Sequence, residues 1–330
     1  MVEVVCFGEI LWDMFERPVS GGSSSRRREA IARDFRRHLG GAPANVATGL
    51  ARLGVRVAVV GGVGRDRFGD ALIAHLDADG VDVRFVKRLP NRTGLAFVVR
   101  DSSGEPSFIF YRHDSADLAI RSEHITSAMG RALWALVGTS TLVTPELANA
   151  TGRFLEVAED AGARIFLDLN VREHLWRDRV SMTKAIARIA RRATVVKASS
   201  DDLRAVQGRA GGLKWLRDHA PRATWLLTRG AGPASAVGSH GEVEVAASRT
   251  RCVDATGAGD AFIAGALATL VSGGAVPGRP AWSDAGLWQT ALRVGHAMGK
   301  KAVSRTGAVS GLVDLGRVRS AIASARRKPA

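Results

Sequence analysis

A glycine-rich segment around residue 257 has the residue types of an anion-binding helix start. Residues 254–262 run Asp-Ala-Thr-Gly-Ala-Gly-Asp-Ala-Phe and open an apolar helix predicted over 259–272. Glycines at a helix start let backbone N–H groups contact an anion, and the helix dipole adds positive potential there. Asp260 could accept a proton from an attacking hydroxyl while these amides stabilise a transferring phosphoryl group. The alternative is a glycine-rich turn in which Asp260 only stabilises the helix dipole. The candidate amides are those of Gly257, Ala258 and Gly259.

Two further glycine-rich segments precede predicted helices. Residues 40–47, Gly-Gly-Ala-Pro-Ala-Asn-Val-Ala, combine paired glycines, which permit close approach of a ligand, with Asn45, which offers a donor and an acceptor. The alternative is an ordinary helix start with Asn45 as its cap. The segment 61–69 resembles a dinucleotide-binding fingerprint, but Arg67 stands where the third glycine is required. We therefore exclude an NAD site there.

Alternating strands and helices must position these segments. Strands are predicted over 2–7 and 56–60 and near 133–137, 164–169, 193–197 and 223–228. Helices are predicted near 40–53, 68–79, 145–161, 180–192, 201–219, 259–272 and 284–302, with a turn at 61–64. Strands joined by helical crossovers indicate a parallel sheet covered on both faces. The expected fold class is α/β, a three-layer doubly wound, mainly parallel sheet.

Two segments depart from this alternation. Strand-like runs at 93–99 and 107–112 flank the hairpin turn residues 101–104, which predicts a small antiparallel sheet standing off the main body. Residues 17–37 contain Gly-Gly-Ser-Ser-Ser and then a basic run, which is typical of a mobile insertion. Because no linker divides the chain, we expect a single domain over 1–330.

Composition limits the classes of function. Of 330 residues, 46% are apolar and 24% are charged, which is typical of a globular protein. The two cysteines, Cys6 and Cys252, cannot supply a disulfide framework, and we expect a reducing, cytoplasmic compartment. No apolar run reaches the length of a membrane span, and the N-terminus lacks the basic region of a signal peptide, so we expect no membrane partner.

The net charge of +15 raises the question of a polyanionic partner. It comes from 40 Arg and 7 Lys, a skew that accompanies abundant Ala and Gly. The basic clusters are not interleaved with aromatic residues, on which the bases of a single-stranded nucleic acid would stack. We therefore expect no nucleic-acid partner, whereas a small polyanion such as ATP is compatible. A non-catalytic protein that binds nucleic acid or another partner is the alternative from a different class.

Taken together, the segments resemble a known family. Residues 40–47 and 255–262 resemble the two signatures of the ribokinase-like carbohydrate kinases, also called the PfkB family, in the right order and separation. The Gly-Gly-Ala-Pro-Ala-Asn form and the run 108–112, Phe-Ile-Phe-Tyr-Arg, are most similar to fructokinases. Further matches to the family pattern lie at 6–13, 62–69, 168–172, 228–230, His296 and 302–308.

The resemblance implies ATP-dependent transfer of the γ-phosphoryl group to a sugar hydroxyl, with Mg²⁺. It makes Asp260 the catalytic base and residues 257–259 the anion hole. It implies a β lid formed by about 13–40 and 92–113, and a homodimer that pairs through this lid. The implied sugar-binding residues are Asp13, Gly41, Asn45, Phe110 and Arg112. The implied nucleotide-binding residues are Asn170, Arg172, Ser199, Thr228, Gly230, His296 and Ser304.

The implied metal sites include departures from the family pattern. The motif that orders water around Mg²⁺ is Asn-x-x-Glu in the family, and here Ser199 and Asp202 stand in those places. Asp254 is the family-type residue for a monovalent cation such as K⁺. Fructose, converted to fructose 6-phosphate, is the expected acceptor, with ribose, 2-keto-3-deoxygluconate or a nucleoside as alternatives. Phe110 either covers the sugar or, with Phe108, packs into the small core of the lid.

Overall fold

Two β-sheets and ten helices make up the described part of the chain. The computed structural model describes residues 2–17, 34–100, 106–207 and 213–325. Its strands, in chain order, are β1 (Val4–Phe7), β2 (Leu11–Glu16), β3 (Phe35–Gly40), β4 (Val57–Gly64), β5 (Val86–Leu89), β6 (Leu95–Arg100), β7 (Pro106–Tyr111), β8 (Trp134–Gly138), β9 (Arg164–Asp168), β10 (Val195–Ser199), β11 (Thr224–Thr228), β12 (Ala234–Gly238) and β13 (Gly241–Val245). Its helices are α1 (Ala42–Arg52), α2 (Arg67–Ala78), α3 (Pro145–Asp160), α4 (Arg179–Ala190), α5 (Ser200–Gln207), α6 (Lys214–His219), α7 (Ala258–Ser272), α8 (Pro280–Ser283), α9 (Ala285–Ala302) and α10 (Gly316–Ala325). Among these described helices, none is both long and apolar enough to cross a membrane.

The larger sheet is mainly parallel, as predicted. Nine of the described strands form it in the order β13-β12-β11-β10-β9-β8-β1-β4-β5. The strands from β11 to β5 pair in parallel, whereas the two pairs at the other edge, β11–β12 and β12–β13, are antiparallel. Parallel pairing brings the carboxyl ends of these strands to one edge, where open α/β sheets bind their ligands.

Helices cover both faces of this sheet. The apolar strand β1 is buried on both sides: Val4 and Cys6 belong to the core cluster that includes α1, α7 and α9, and Val5 and Phe7 belong to the cluster that includes α3 and α4. Side chains alternate along a strand, so an uninterrupted apolar run is what a sheet with two covered faces requires. The three-layer prediction is confirmed.

A second, four-stranded sheet has the order β3-β2-β6-β7. Its pairs β2–β3 and β6–β7 are antiparallel, whereas β2 and β6 run parallel because they come from separate parts of the chain. Residues 35–37, predicted as part of an insertion, belong to β3. The rest of the insertion from residue 18 to 33 and the predicted turn 101–104 lie outside the described residues.

The prediction of a turn at residues 61–64 is wrong. Residues 61–64 were expected to leave the strand, but they continue β4 to its end. A Cβ on Gly61 would lie 2.4 Å from the carbonyl oxygen of Gly8, and one on Gly62 would lie 2.2 Å from that of Ala116. These glycines therefore permit close packing of backbone against a strand rather than a change of direction.

Candidate active site

Helix α7 places Asp260 in a cavity at the carboxyl edge of the large sheet. Gly257 precedes the helix with φ of +75°, and a Cβ there would lie 2.3 Å from the Cβ of Ala308, so the turn requires glycine. The first N–H groups of a helix have no partner within the helix and are available to an anion. Here the N–H of Ala258 also donates to the Ala255 carbonyl oxygen at 3.2 Å. Asp260 and residues 255–259 line a cavity of about 280 Å³.

Asp260 is a buried carboxyl group. Asn45 Nδ2 donates a hydrogen bond to Asp260 Oδ2 at 2.8 Å. Burial, and then the charge of Asp168, raise the pKa of Asp260 to about 7, against the opposing influence of Asn45 and nearby cations. A carboxyl group whose pKa lies near neutrality is well matched to accepting a proton from a hydroxyl.

The predicted sugar-binding residues Asp13, Gly41 and Asn45 line the same cavity. Gly41 has φ of +95°, and a Cβ there would lie 2.2 Å from the carbonyl oxygen of Glu9. Asn45 Oδ1 is buried and has no hydrogen-bond partner within the described residues, so it is free to accept a bond from a ligand hydroxyl. Burial, followed by the charge of Asp260, raises the pKa of Asp13 to about 8. These groups form a polar wall, and their role in binding sugar hydroxyls stays a prediction.

Strand β7 of the smaller sheet supplies aromatic side chains to the same cavity. Phe108 and Phe110 project from the same face of β7 into the cavity, with ring centroids 6.0 Å apart, and Phe110 also stacks on His174 at 5.2 Å. Arg112 lines the cavity too, and its Nε donates to Asp117 Oδ2 at 2.8 Å. The two phenylalanines therefore face the cavity and the main body.

The predicted nucleotide-binding residues divide into two groups. Asn170 and Arg172 line the cavity. Ser199 and Thr228 pair at the carboxyl ends of β10 and β11, along the same edge but outside the cavity lining. The other three also lie outside it: Gly230 with φ of +57°, His296 with Nε2 3.1 Å from the Val245 carbonyl oxygen, and Ser304, which donates to the Lys301 carbonyl oxygen. The nucleotide-binding roles stay predictions.

Asp202, the predicted magnesium residue, is a buried hydrogen-bond acceptor. Its Oδ1 accepts from the N–H of Val171, and its Oδ2 accepts from the N–H and the hydroxyl of Ser199, each at 2.7 Å. Oδ1 keeps a lone pair, which can accept a hydrogen bond from a water molecule. Within the described residues no group of three or more acidic, His or Cys side chains could hold a metal ion.

Asp254, the predicted monovalent-cation residue, joins two loops beside the α7 turn. Its Oδ1 accepts from the N–H of Thr256 at 3.0 Å, and its Oδ2 accepts from the N–H of Gly307 at 2.8 Å. The carboxylate thus holds the segment before Gly257 against the loop that contains Ala308. Asp254 therefore contributes to the shape of the turn at Gly257, and its role in binding a cation stays a prediction.

Sequence reasoning missed Lys197 and Ser140. Lys197 lies on β10 and reaches the cavity, and Ser140, which also lines it, donates to Glu9 Oε2 at 2.6 Å. A signal existed for the lysine, since a charged residue inside the apolar run Val-Val-Lys-Ala at 195–198 requires a buried partner. Ser140 follows strand β8 without any such mark.

Comparison with known proteins agrees with this geometry. The family model described as pfkB family carbohydrate kinase matches residues 1–314. A probable fructokinase-2 from Arabidopsis thaliana is 34% identical over 94% of this chain and 92% of its own length. A fructokinase from Xylella fastidiosa, solved with bound ATP, has a TM-score of 0.83 and 32% identity, with 98% of each chain covered. A double-mutant fructokinase from Vibrio cholerae O395, solved with fructose, ADP and a potassium ion, has a TM-score of 0.83 and 26% identity over 98% of each chain.

The fold, the site and these likenesses define the class of protein: it is a phosphotransferase that acts on a sugar. The chain belongs to the pfkB family of carbohydrate kinases. Family membership favours the kinase interpretation over the alternative of a non-catalytic binding protein.

Proposed function

We propose that the protein is an ATP-dependent fructokinase that converts fructose to fructose 6-phosphate. The observation that supports it most is the position of Asp260, between a hydroxyl-binding wall that includes Asn45 and the anion-binding start of α7. The likeness to fructokinases solved with ATP, or with fructose and ADP, supports both substrates. Aromatic rings from β7 complete a site that is polar on one side and apolar on the other, as a sugar requires.

Each group of residues that lines the cavity has one role in the proposed reaction. Asp13 and Asn45 hold sugar hydroxyls, and Asp260 takes the proton of the acceptor hydroxyl. The hydroxyl oxygen forms a bond to the γ-phosphorus while the bond to the β-phosphate oxygen breaks, and its electron pair leaves with ADP. Amides of residues 257–259 stabilise the charge on the transferring group. Phe110 and the rest of the lid exclude water, which would otherwise compete as acceptor.

Metal ions enter this proposal with the nucleotide. Mg²⁺ is usually held by the phosphates and several waters, and Asp202 Oδ1 could accept from one of those waters. When bound, Mg²⁺ neutralises charge on the β- and γ-phosphates. We place a monovalent cation, K⁺ in the Vibrio cholerae relative, beside Asp254.

A panel of acceptors tests the proposed function. We expect ADP release from ATP to be fastest with fructose, as judged by kcat/KM, among fructose, ribose, 2-keto-3-deoxygluconate and a nucleoside. The product should carry its phosphate on the 6-hydroxyl, which NMR of the purified sugar phosphate identifies. A preference for another acceptor by about tenfold, equivalent to about 1.4 kcal/mol, would overturn the fructose assignment.

The rate should depend on pH through Asp260. Burial raises the pKa of this carboxyl group to about 7, and only its deprotonated form can act as a base. We therefore expect kcat/KM for fructose to rise with pH and to level off above about pH 7 to 8. The measurement is a kcat/KM profile in buffers of constant ionic strength, and a profile that is flat from about pH 5.5 upward would contradict it.

We also propose that two copies pair through the smaller sheet. Its outer face exposes Ile109 and Tyr111, the latter 64% exposed and in contact with Phe97, whose ring also contacts Phe35. Contiguous apolar surface of this kind is typical of interaction sites. Tyr111→Glu should convert a dimer to a monomer in sedimentation velocity, whereas Val180→Glu, an exposed position on α4, should leave the dimer intact. A wild-type monomer at all concentrations would contradict the dimer.

A further inference from the structure

Lys197 is a buried cation on the floor of the cavity. Its side chain is 6% exposed, and its Nζ lies 3.2 Å from Asp168 Oδ1 and 3.7 Å from Asp202 Oδ2. A Cβ built on Gly259, in the first turn of α7, would lie 3.4 Å from Nζ. The ammonium group thus lies close to two carboxylates and to the first turn of α7, where the proposed function places the transferring phosphoryl group.

The hydrogen-bonding capacity of this ammonium is only partly used. An ammonium has three donors. Asp202 is too distant for a hydrogen bond at 3.7 Å, and its Oδ2 already accepts two bonds from Ser199. Asp168 Oδ1, at 3.2 Å, accepts one of the three donors. A desolvated cation with unused donors is energetically costly. An anion that binds at the α7 turn would accept hydrogen bonds from this ammonium and compensate its charge.

We propose that Lys197 is a catalytic residue whose ammonium donates a hydrogen bond to a non-bridging oxygen of the transferring γ-phosphoryl group. The proposal rests on the proposed function, since it requires the phosphoryl group to lie at residues 257–259. Lys197 stays protonated throughout, and the acceptor's proton goes to Asp260. Its charge acts on the oxygens that bear the negative charge of the transition state, in a site from which water is excluded.

The test replaces the charge and keeps the shape. Lys197→Met has a side chain of similar length without the ammonium. We expect kcat to fall about 10²–10³-fold, measured on the plateau of the pH profile, with the KM for fructose changed by less than about threefold. Affinity for ADP alone should persist, whereas affinity for ADP with aluminium fluoride, which mimics the planar phosphoryl group, should fall in parallel with kcat.

A second variant separates this role from a structural one. Lys197→Met alone leaves Asp168 buried without its cation, which by itself could lower stability. The double variant Asp168→Asn with Lys197→Met removes both charges and should regain thermal stability while kcat stays low. Recovery of kcat to within about threefold of wild type in the double variant would show that Lys197 only neutralises Asp168, and would overturn the proposal.

The outcome for the wild type keeps the two proposals distinct. If the wild-type protein phosphorylates no sugar, the proposed function fails before Lys197 is in question. If the wild type phosphorylates fructose and Lys197→Met retains kcat within about threefold, less than 1 kcal/mol of transition-state stabilisation, only the role of Lys197 is overturned.

Discussion

Asp260→Asn should reduce kcat for fructose by about 10²–10⁴-fold, the range that loss of a general base typically causes. The variant keeps the shape of the side chain and its contact with Asn45 but cannot take up a proton from the acceptor hydroxyl. Coupled measurement of ADP release gives kcat and KM separately. Because Asp260 acts as the base in the chemical step, the KM for fructose should change far less than kcat.

Asp260→Asn should not lower the stability of the protein, although it lowers kcat. The folded-state pKa of Asp260, about 7, lies above its ordinary value of 3.8, so the folded state prefers the protonated form. Above pH 3.8 this preference costs stability, and the cost grows until the pH passes about 7. Asp260→Asn removes an ionisable group that burial penalises, so its free energy of unfolding at about pH 8 should equal or exceed that of the wild type, by up to about 4 kcal/mol.

A matched control shows whether the loss of activity depends on the position of the substitution or only on its type. Asp77→Asn makes the same substitution on the exposed face of α2, away from the cavity, and should leave kcat unchanged. If Asp260→Asn retains kcat within about threefold of wild type, less than 1 kcal/mol of the barrier, Asp260 is not the base.

Gly257→Ala should produce the second large effect, a fall in kcat of about 10²–10³-fold, comparable to loss of an oxyanion-stabilising donor. Alanine pays about 1–2 kcal/mol at a φ of +75°, and its Cβ would lie 2.3 Å from the Cβ and 2.5 Å from the Cα of Ala308. The turn must move to relieve this contact, and the amides at the start of α7 move with it. Steady-state kinetics together with thermal unfolding measure both consequences.

The opposite end of α7 offers the control. Gly274 also has a left-handed backbone, φ +64°, but a Cβ there meets nothing within 4 Å. Gly274→Ala should therefore lose a similar 1–2 kcal/mol to backbone strain, with no change in kcat. Equal kinetics in the two variants would show that the turn at Gly257 does not form an anion-binding site.

Local patterns were sufficient to predict the parts of the site that are local in the chain. In 255–262, glycines and an aspartate at the start of an apolar helix predict both a turn and its chemistry, because the amides and the carboxylate come from nearby residues. The alternation of strands with helical crossovers likewise indicated a parallel sheet covered on both faces. The order of the strands in the sheet, in contrast, follows from contacts between distant segments.

Features that depend on neighbours across the sheet were harder to predict. Lys197 and Asp168 come from different strands, and only the register of β10 against β9 sets them side by side. The glycines at 61–62 were assigned to a turn because their close contacts, with Gly8 and Ala116, lie far away in sequence. In both cases the residue type indicated an unusual environment, a buried charge or a close backbone contact. Only the fold identified the partner residues.

The most direct test of the central claim is a crystal structure with fructose and a non-hydrolysable ATP analogue. We expect a fructose hydroxyl within about 2.6–3.2 Å of the Asp260 carboxylate and the γ-phosphate against the amides of residues 257–259. A triphosphate bound elsewhere, or a sugar whose hydroxyls all face away from Asp260, would contradict it.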